Sequence, residues 1–371
     1  MIVKFAKRAA VVAGATTLAA VMVAGTAQAD PTEFRELNGV GSDTTQDVMN
    51  GLSGKIVDPN NSPAHLLIAS YDAVNPTTGV AHECIVLRSG RTCPPAGGGI
   101  TRPNGSGEGI AALNADIASG AGNVDFARSS SGVSVAGTNL TWVPFAEDAV
   151  TLAVKSGSTL KANVSFAPTN SDLKRVYNCL DASGNPLPAG QFPTINDVNG
   201  NPVTVHPLVP QTGSGTRKFW AQKLGFDPVN LPTCVSDHAK DGSQVEEHDG
   251  SGLQRTVAVD GSEDIAPFSI AQWIAQSNST ATKVRDRRNG AVLESVDATA
   301  PTTGSPAVLN TAFPIRRDVY NVIKTTRLTE TDIALAFVGA TSKVCTNTAT
   351  IQLYGFGLLD HCGATTLTGN S

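Results

Sequence analysis

The stretch PQTGSGTRKFW at 210–220 combines two glycines with three small hydroxyl side chains. Ser and Thr cap helix N-termini, and glycine allows a ligand to approach the backbone closely. Phe219, Trp220 and Leu224, followed by Gly225, predict a short helix that ends in a glycine cap. The unpaired N–H groups at its N-terminus and the positive end of its dipole favour an anion. An ordinary capped helix without a ligand is the alternative interpretation.

Three further clusters of glycine and hydroxyl residues precede this stretch: GVGSDTTQ (39–46), PNGSGEG (103–109) and DFARSSSG (125–132). The first two stand directly before predicted helices, and the third ends a short apolar run. Such loops meet at the C-terminal ends of the strands in open α/β sheets. The four clusters together therefore predict several helix N-termini that converge on one oxyanion.

The elements that would position these loops alternate between strands and helices. AVTLAV (149–154) is a predicted strand. Apolar periodicity predicts helices in GIAALNADIASG (109–120), TNSDLKRVYNCL (169–180, with Thr169 or Ser171 as its cap), FSIAQWIAQSN (268–278) and DIALAFVGA (332–340). This alternation indicates an α/β fold.

Residues 1–29 have the features of a secretory signal peptide. Lys4, Lys7 and Arg8 precede an Ala- and Val-rich run, and Ala27–Ala29 supplies a small-residue cleavage site. Cleavage would leave 342 residues, enough for two lobes, and would lower the formal net charge from −5 to −8. A chain this acidic is not expected to bind nucleic acid or an anionic membrane. We expect an extracytoplasmic protein without a lipid-anchor cysteine at its mature N-terminus.

Six cysteines in an exported chain favour three disulfides. The economical pairing joins sequence neighbours: Cys84 with Cys93, Cys179 with Cys234, and Cys345 with Cys362. None of these spacings fits a zinc or redox motif. The acidic stretch 237–252 matches no EF-hand or HExxH pattern, so it is predicted to be a solvated loop, with a calcium or zinc site as the alternative interpretation. Neither a metal nor a cofactor is expected.

The order of the four clusters resembles the phosphate-binding type of extracellular solute-binding proteins of ABC transporters. That family carries GAGAT-like, GSSGG-like, DFGASD and DGSGT segments, and GVGSDT, NGSGEG, DFARSS and QTGSGT follow here in the same order. The resemblance spans most of 37–358. It implies a two-lobed type II periplasmic-binding-protein fold with a central cleft, and lobes that close by a hinge. The expected lobes are 30–148 with 311–371, and 149–310.

The resemblance also implies a ligand set. Ser106 or Gly107, with Ser214, Gly215 and Thr216, match positions that bind phosphate oxygens in the family; Ser42, Asp43, Thr44 and Ser130 are expected opposite them.

Three charged residues of the family pattern are absent. The family's aspartate in DFGASD falls at Ser130, and its arginine and aspartate before GSGT fall at Pro210 and Thr212. Asp43 is the substitute proposed for accepting the proton of hydrogen phosphate, with capping of the next helix as its alternative role. Arg128 or Arg217 would restore the cation.

The leading hypothesis is a monomeric, non-enzymatic binding protein that captures phosphate or a similar oxyanion, with an ABC-transporter permease as its partner. A relative that has lost phosphate and binds another small ligand is the first alternative. A secreted hydrolase is the second, although no GxSxG elbow is present.

Overall fold

The structure is a computed structural model and describes residues 30–59, 65–94, 97–160, 163–167, 171–254 and 262–371. The predicted signal peptide and the proposed cap Thr169 lie outside the described residues. Within the described part of the chain, no helix has the length and apolar character needed to cross a membrane.

The described strands are β1 Leu37–Gly41, β2 Val57–Asp58, β3 His65–Leu66, β4 Ile68–Ser70, β5 Cys84–Ile85, β6 Ile100–Thr101, β7 Phe126–Ser129, β8 Leu140–Val154, β9 Asn163–Val164, β10 Thr194–Asn196, β11 Pro202–Pro207, β12 Glu263–Ser269, β13 Val292–Leu293, β14 Ser295–Val296, β15 Thr302–Thr303, β16 Val308–Leu309, β17 Arg316–Lys324 and β18 Thr368–Gly369. The described helices are α1 Gln46–Ser53, α2 Ser106–Ser119, α3 Asp172–Tyr177, α4 Gly215–Leu224, α5 Ile270–Ser277, α6 Ser279–Thr282, α7 Thr331–Phe337, α8 Lys343–Thr346 and α9 Thr348–Leu353. Short 3₁₀ turns cover Ser251–Gln254 and Thr325–Arg327.

One mixed sheet runs through the molecule in the order β10-β11-β12-β8-β17-β7-β1-β4, with β13 and β18 also pairing with β8. β1 is parallel to β4 and β7, and β11 is parallel to β12. β8 and β17, which are antiparallel to each other, lie between these two parallel groups. The α/β class is therefore confirmed, with two parallel groups joined through two central strands.

β8 is the strand that reaches both halves of the sheet. Its first part pairs with β17, and Val150–Val154 pair with β12. All of its residues are buried except the half-buried Glu147. The predicted strand at 149–154 is only its second part, because Pro144, Glu147 and Asp148 interrupt the apolar run that precedes it.

Two large apolar cores lie on either side of this junction. One contains Leu37, Phe126 and Phe337, and the other contains Leu152 and Trp220. α5 contributes to both cores, because Ile270 and Ile274 belong to the second, and Ala271 and Ala275 belong to the first. The lobe bounds expected from the sequence stay a proposal, and both β8 and α5 contribute residues to the two cores.

The local signals identified in the sequence are present. Ser214 caps α4 and its Oγ accepts the Arg217 N–H, and Gly225 ends the helix at φ +82°. Ser171 caps α3 in the same way. The three disulfides join the neighbours expected from sequence order, 84 with 93, 179 with 234 and 345 with 362.

Candidate anion-binding site

Thr44 marks the centre of a buried cluster of polar groups between the two cores. Its Oγ1 lies 3.1 Å from Ser130 Oγ, 3.2 Å from Thr216 Oγ1 and 3.0 Å from His248 Nε2. All four residues are buried. Thr44 precedes α1, Ser130 follows β7 and Thr216 lies in the first turn of α4, so the cluster joins loops that are far apart in sequence.

The side of the site formed by the start of α2 and the end of β7 is built from serine hydroxyls. Ser106, the first residue of α2, accepts the Ser130 N–H at 3.0 Å, and the two hydroxyl oxygens lie 3.3 Å apart. Ser106 and Ser130 are fully buried. Hydroxyl groups held this way are donors of the kind that an oxyanion requires, whereas the Ser130 N–H is already engaged by Ser106 Oγ.

α4 supplies the opposite side. Gly215 stands so close to the serines that a Cβ there would lie 2.3 Å from both Ser106 Oγ and Ser130 Oγ. Gly107 plays a different part from the one expected, because its N–H donates to Gly213 O at 3.0 Å. That bond joins the α2 and α4 loops, and it removes the Gly107 N–H from the set of free donors.

Arg317 of β17 supplies the cation. Its Nη2 lies 2.9 Å from Thr216 Oγ1 and 2.8 Å from Asp148 Oδ2, and its Nη1 donates to Ser130 O at 3.0 Å. Asp148 in turn accepts from Ser269 Oγ and from the Ala271 N–H at the start of α5. The sheet thus fixes a guanidinium beside the hydroxyl cluster and balances its charge from behind.

The two arginines proposed from the sequence face elsewhere, so neither is the cation of the site. Arg128 is fully buried and donates to Gly39 O, Gly41 O and Ser70 Oγ. Arg217 donates to Pro210 O, Pro228 O and Asp237. Both guanidiniums are used to hold loops in place.

Glu247 places a carboxylate in the middle of these donors. One oxygen accepts from Ser214 Oγ and from the Thr216 N–H, and the other lies 3.1 Å from Thr44 Oγ1. Burial alone would raise the pKa of Glu247, but bonds and charges from His248, Ser214 and Arg317 outweigh it and hold the pKa at about 2. The donors therefore surround an ionised anion that belongs to the chain itself.

Asp43 lies at the edge of the cluster and is not a helix cap. Its Oδ1 accepts from Arg287 Nη2 at 3.3 Å, while Oδ2 is buried with no partner among the described residues. Ser42 is similar, because its Oγ is buried and unpaired within the described part of the chain.

Asp43, Glu247 and His248 offer ligand atoms within 4.8 Å of one another, as a metal site would require. Both Glu247 oxygens already face hydroxyl or N–H donors, and Arg317 stands beside them. This donor set fits an anion better than a cation, since a metal ion is bound by acceptors.

A surface groove of about 760 Å³ reaches this cluster from one side. Phe219, Lys223 and Tyr320 line it, and Ser130 and Arg317 are shared between the groove and the buried site. The groove offers a route by which a small solute would approach Arg317.

The sequence analysis missed Arg317, Asp148, Glu247 and His248. Arg317 and Asp148 lie inside strands, where their charges interrupt an apolar pattern. That interruption is the signal that the sequence offered. Glu247 and His248 belong to the stretch predicted to be a solvated loop, and here the prediction was wrong: both are fully buried. Their polar groups form hydrogen bonds within the buried cluster instead of with solvent.

No protein-family model matches the chain, and no curated protein matches it. Similar solved structures include an ABC-type phosphate transport receptor from Vibrio cholerae (14% identity, TM-score 0.49, covering 87% of this chain and 100% of that one). A phosphate-binding protein from Stenotrophomonas maltophilia aligns at 15% identity and TM-score 0.43, covering 89% and 92%. A human phosphate-binding apolipoprotein aligns at 13% and 0.43, covering 87% and 91%. These similarities are too low to transfer a ligand or the role of a residue to this chain.

Proposed function

We propose that this protein is an exported solute-binding protein that captures phosphate, or a similar oxyanion, between its two lobes and performs no chemistry. The observation that carries the proposal is the ring of donors around the Glu247 carboxylate. Hydroxyls, a helix N-terminus and a guanidinium are the groups that bind oxyanions. Their convergence on one buried point is far more than the capping of a single helix requires.

The proposed ligand set combines residues predicted from the sequence with one found in the structure. It comprises the donors of Thr44, Ser106, Ser130, Ser214, Gly215 and Thr216, with Arg317 as the cation. Asp43 is proposed as the acceptor of the proton of hydrogen phosphate, because its Oδ2 is buried and has no partner among the described residues. An unpaired buried carboxylate oxygen is costly unless something donates to it.

A second candidate has one specific observation in its favour. Because the Glu247 carboxylate already fills the donor ring, the chain fits a relative that no longer binds phosphate and uses the glutamate as a permanent replacement. Hydrolysis is not proposed. Although His248 Nε2 lies 3.0 Å from Thr44 Oγ1, His248 Nδ1 has no partner in the described residues that would orient it as a base.

Calorimetry of ligand-stripped protein with phosphate and with sulfate tests the proposal. Thr216→Val should lower the affinity for both anions at least tenfold, because a hydrogen bond to a charged group contributes about 1.5–3 kcal/mol. Thr212→Val is the matched control, since Thr212 lies in the same loop with an exposed side chain. Stripped wild-type protein that binds neither anion would refute the proposal.

Asp43→Asn tests the selectivity. It keeps the shape and replaces an acceptor by a donor, so phosphate affinity should fall while sulfate affinity stays or rises. Equal changes for both anions would remove Asp43 from the proton-accepting role.

The remaining parts of the proposal concern location and partners. We propose that the chain is cleaved after Ala29, is a monomer and delivers its ligand to an ABC-transporter permease. N-terminal sequencing of exported protein, light scattering of purified protein, and phosphate uptake by cells that lack the protein test these three points separately.

A further inference from the structure

Glu247 and a free oxyanion would compete for the same atoms. The Thr216 N–H, Ser214 Oγ and Thr44 Oγ1, which are proposed to bind phosphate, all lie at hydrogen-bond distance from the Glu247 carboxylate. Glu247 is 1% exposed and its carboxylate engages these donors, so a second anion that used the same donors would have to displace it. Two negative charges in contact with the same donors in a buried site would also repel each other strongly.

Placing Glu247 in this position costs free energy at the next residue. His248, the next residue, has φ +57°, which is the left-handed region that non-glycine residues rarely adopt. Its Nδ1 is also buried without a partner in the part of the chain that the structure describes. Strained backbone and an unpaired buried nitrogen persist only where surrounding contacts hold them, and such sites are often those that switch.

The segment around Glu247 is held by a small number of separate bonds. Glu247 N–H donates to Gln211 Oε1, Gln276 Nε2 donates to His248 O, and Gly250 N–H donates to Arg287 O. Gln211 and Arg287 lie in loops and Gln276 lies in α5, while the His248 ring packs against Phe268 of β12. None of these contacts is a strand-pairing bond of the central sheet, so the segment can leave without unpairing β8 or β17.

We propose that Glu247 is a tethered competitor: a free oxyanion binds only after the Glu247 carboxylate has left the N-terminus of α4. This inference rests on the proposed function. The measured dissociation constant is then the intrinsic constant divided by the fraction of molecules in which the glutamate is undocked. Glu247 therefore sets both the affinity and the speed of anion capture.

Glu247→Asp is the decisive variant. It keeps the negative charge but shortens the reach by about 1.5 Å, one C–C bond. Because the shorter carboxylate cannot make the same contacts, phosphate should bind at least tenfold more tightly, which corresponds to about 1.4 kcal/mol. Glu247→Gln should also bind more tightly, since it weakens docking and removes the charge.

Glu246→Gln is the matched control. Glu246 is the adjacent carboxylate, and its side chain accepts from Asn104 Nδ2 and not from the donor ring. Its removal should leave phosphate affinity within about twofold of wild type. A gain in Glu247→Gln without a gain in Glu247→Asp would show simple charge repulsion and overturn the competition.

Stopped-flow kinetics give a second readout. In wild-type protein the observed binding rate should level off as phosphate rises, at the rate at which Glu247 undocks. In Glu247→Asp the rate should keep rising over the same concentrations. A linear dependence in both proteins would overturn the proposal.

The outcomes separate this inference from the proposed function. If wild type binds phosphate and the Glu247 variants bind it equally or more weakly, the competitor is refuted and the function stands. If the variants bind phosphate and wild type does not, the competitor is supported as a permanent occupant. If no form binds phosphate or sulfate, both fail.

A variant that folds poorly does not leave the question open. Glu247→Ala should be stabilised by added acetate, which restores a carboxylate to the donor ring, and Glu246→Ala should show no such shift in melting temperature. Absence of the acetate effect in a folded Glu247→Ala protein would show that the ring does not hold a free anion.

Discussion

Gly215 sits where the two sides of the site come closest, and Gly215→Ala adds one methyl group to that contact. A Cβ at this position would lie 2.3 Å from Ser106 Oγ, 2.3 Å from Ser130 Oγ and 3.1 Å from Ser106 Cβ. Real Cβ contacts are about 1 Å longer, so both hydroxyls must move. The backbone N–H of residue 215 is retained, and Ala favours a helix more than Gly does. Any loss therefore comes from the contact between the two sides.

The size of the loss follows from the bonds that the two serines make. Moving them disturbs the Ser130 N–H to Ser106 Oγ bond, the contact between the two hydroxyls, and the contact of Ser130 Oγ with Thr44 Oγ1. At about 0.5–1.5 kcal/mol each, three such bonds amount to about 1.5–4.5 kcal/mol. In the closed, liganded form this should lower phosphate affinity by roughly tenfold to about two-thousandfold.

Gly107→Ala is the matched control, because Gly107 also lies in the first turn of a helix that faces the junction. Its added Cβ would meet Gly213 O at 3.4 Å, an ordinary van der Waals contact. Calorimetry should therefore give wild-type phosphate affinity for Gly107→Ala and a large loss for Gly215→Ala, with both proteins folded by circular dichroism. Equal affinities in the two variants would refute the placement of Gly215 against the serines.

Three further predictions concern stability, and urea unfolding measures each. Arg317→Met should cost about 3–5 kcal/mol by leaving Asp148 buried without its cation, and adding Asp148→Asn should recover part of that loss. Removing the 179–234 disulfide should cost about 4 kcal/mol, against about 2.5 kcal/mol for the 84–93 disulfide, because it closes a longer loop. Burial, reinforced by nearby carboxylates, raises the pKa of Asp47 from 3.8 to about 7, so its contribution is present at low pH and is lost as the pH rises through that range. Asp47→Asn should flatten this fall, and an unchanged pH profile would contradict the assignment.

Much of the fold was predictable because it depends on local signals. The Ser214 and Gly225 caps of α4 follow from residue types that satisfy helix ends, and the structure has both. The disulfides follow from the even number of cysteines and their order in the chain. These signals act over a few residues or through a small set of pairings, so the helix caps and the disulfides can be predicted from the sequence alone.

The cation and the internal anion of the site were not predictable in the same way. Arg317 reaches the site because β17 pairs with β8, and Glu247 reaches it because a loop folds inward over α4. In sequence, Arg317 is 101 residues from Thr216, the residue that it contacts. A buried glutamate in a polar loop has the same composition as a solvated one, so only its partners reveal its role.

The charges at the site favour an exchange of anions over simple filling of an empty pocket. Asp148 balances Arg317, and Arg287 lies against Asp43, while the Glu247 carboxylate faces the donors at the start of α4 and lies 3.4 Å from His248 Nε2. A phosphate that displaced Glu247 would inherit these donors and the guanidinium face of Arg317, while the departing carboxylate would regain water. Solvation of the released glutamate offsets part of the cost of burying the phosphate charge. An anion site that holds its own carboxylate can therefore still bind a free anion, and in the proposed site the affinity for phosphate would measure the difference between two anions in one set of donors.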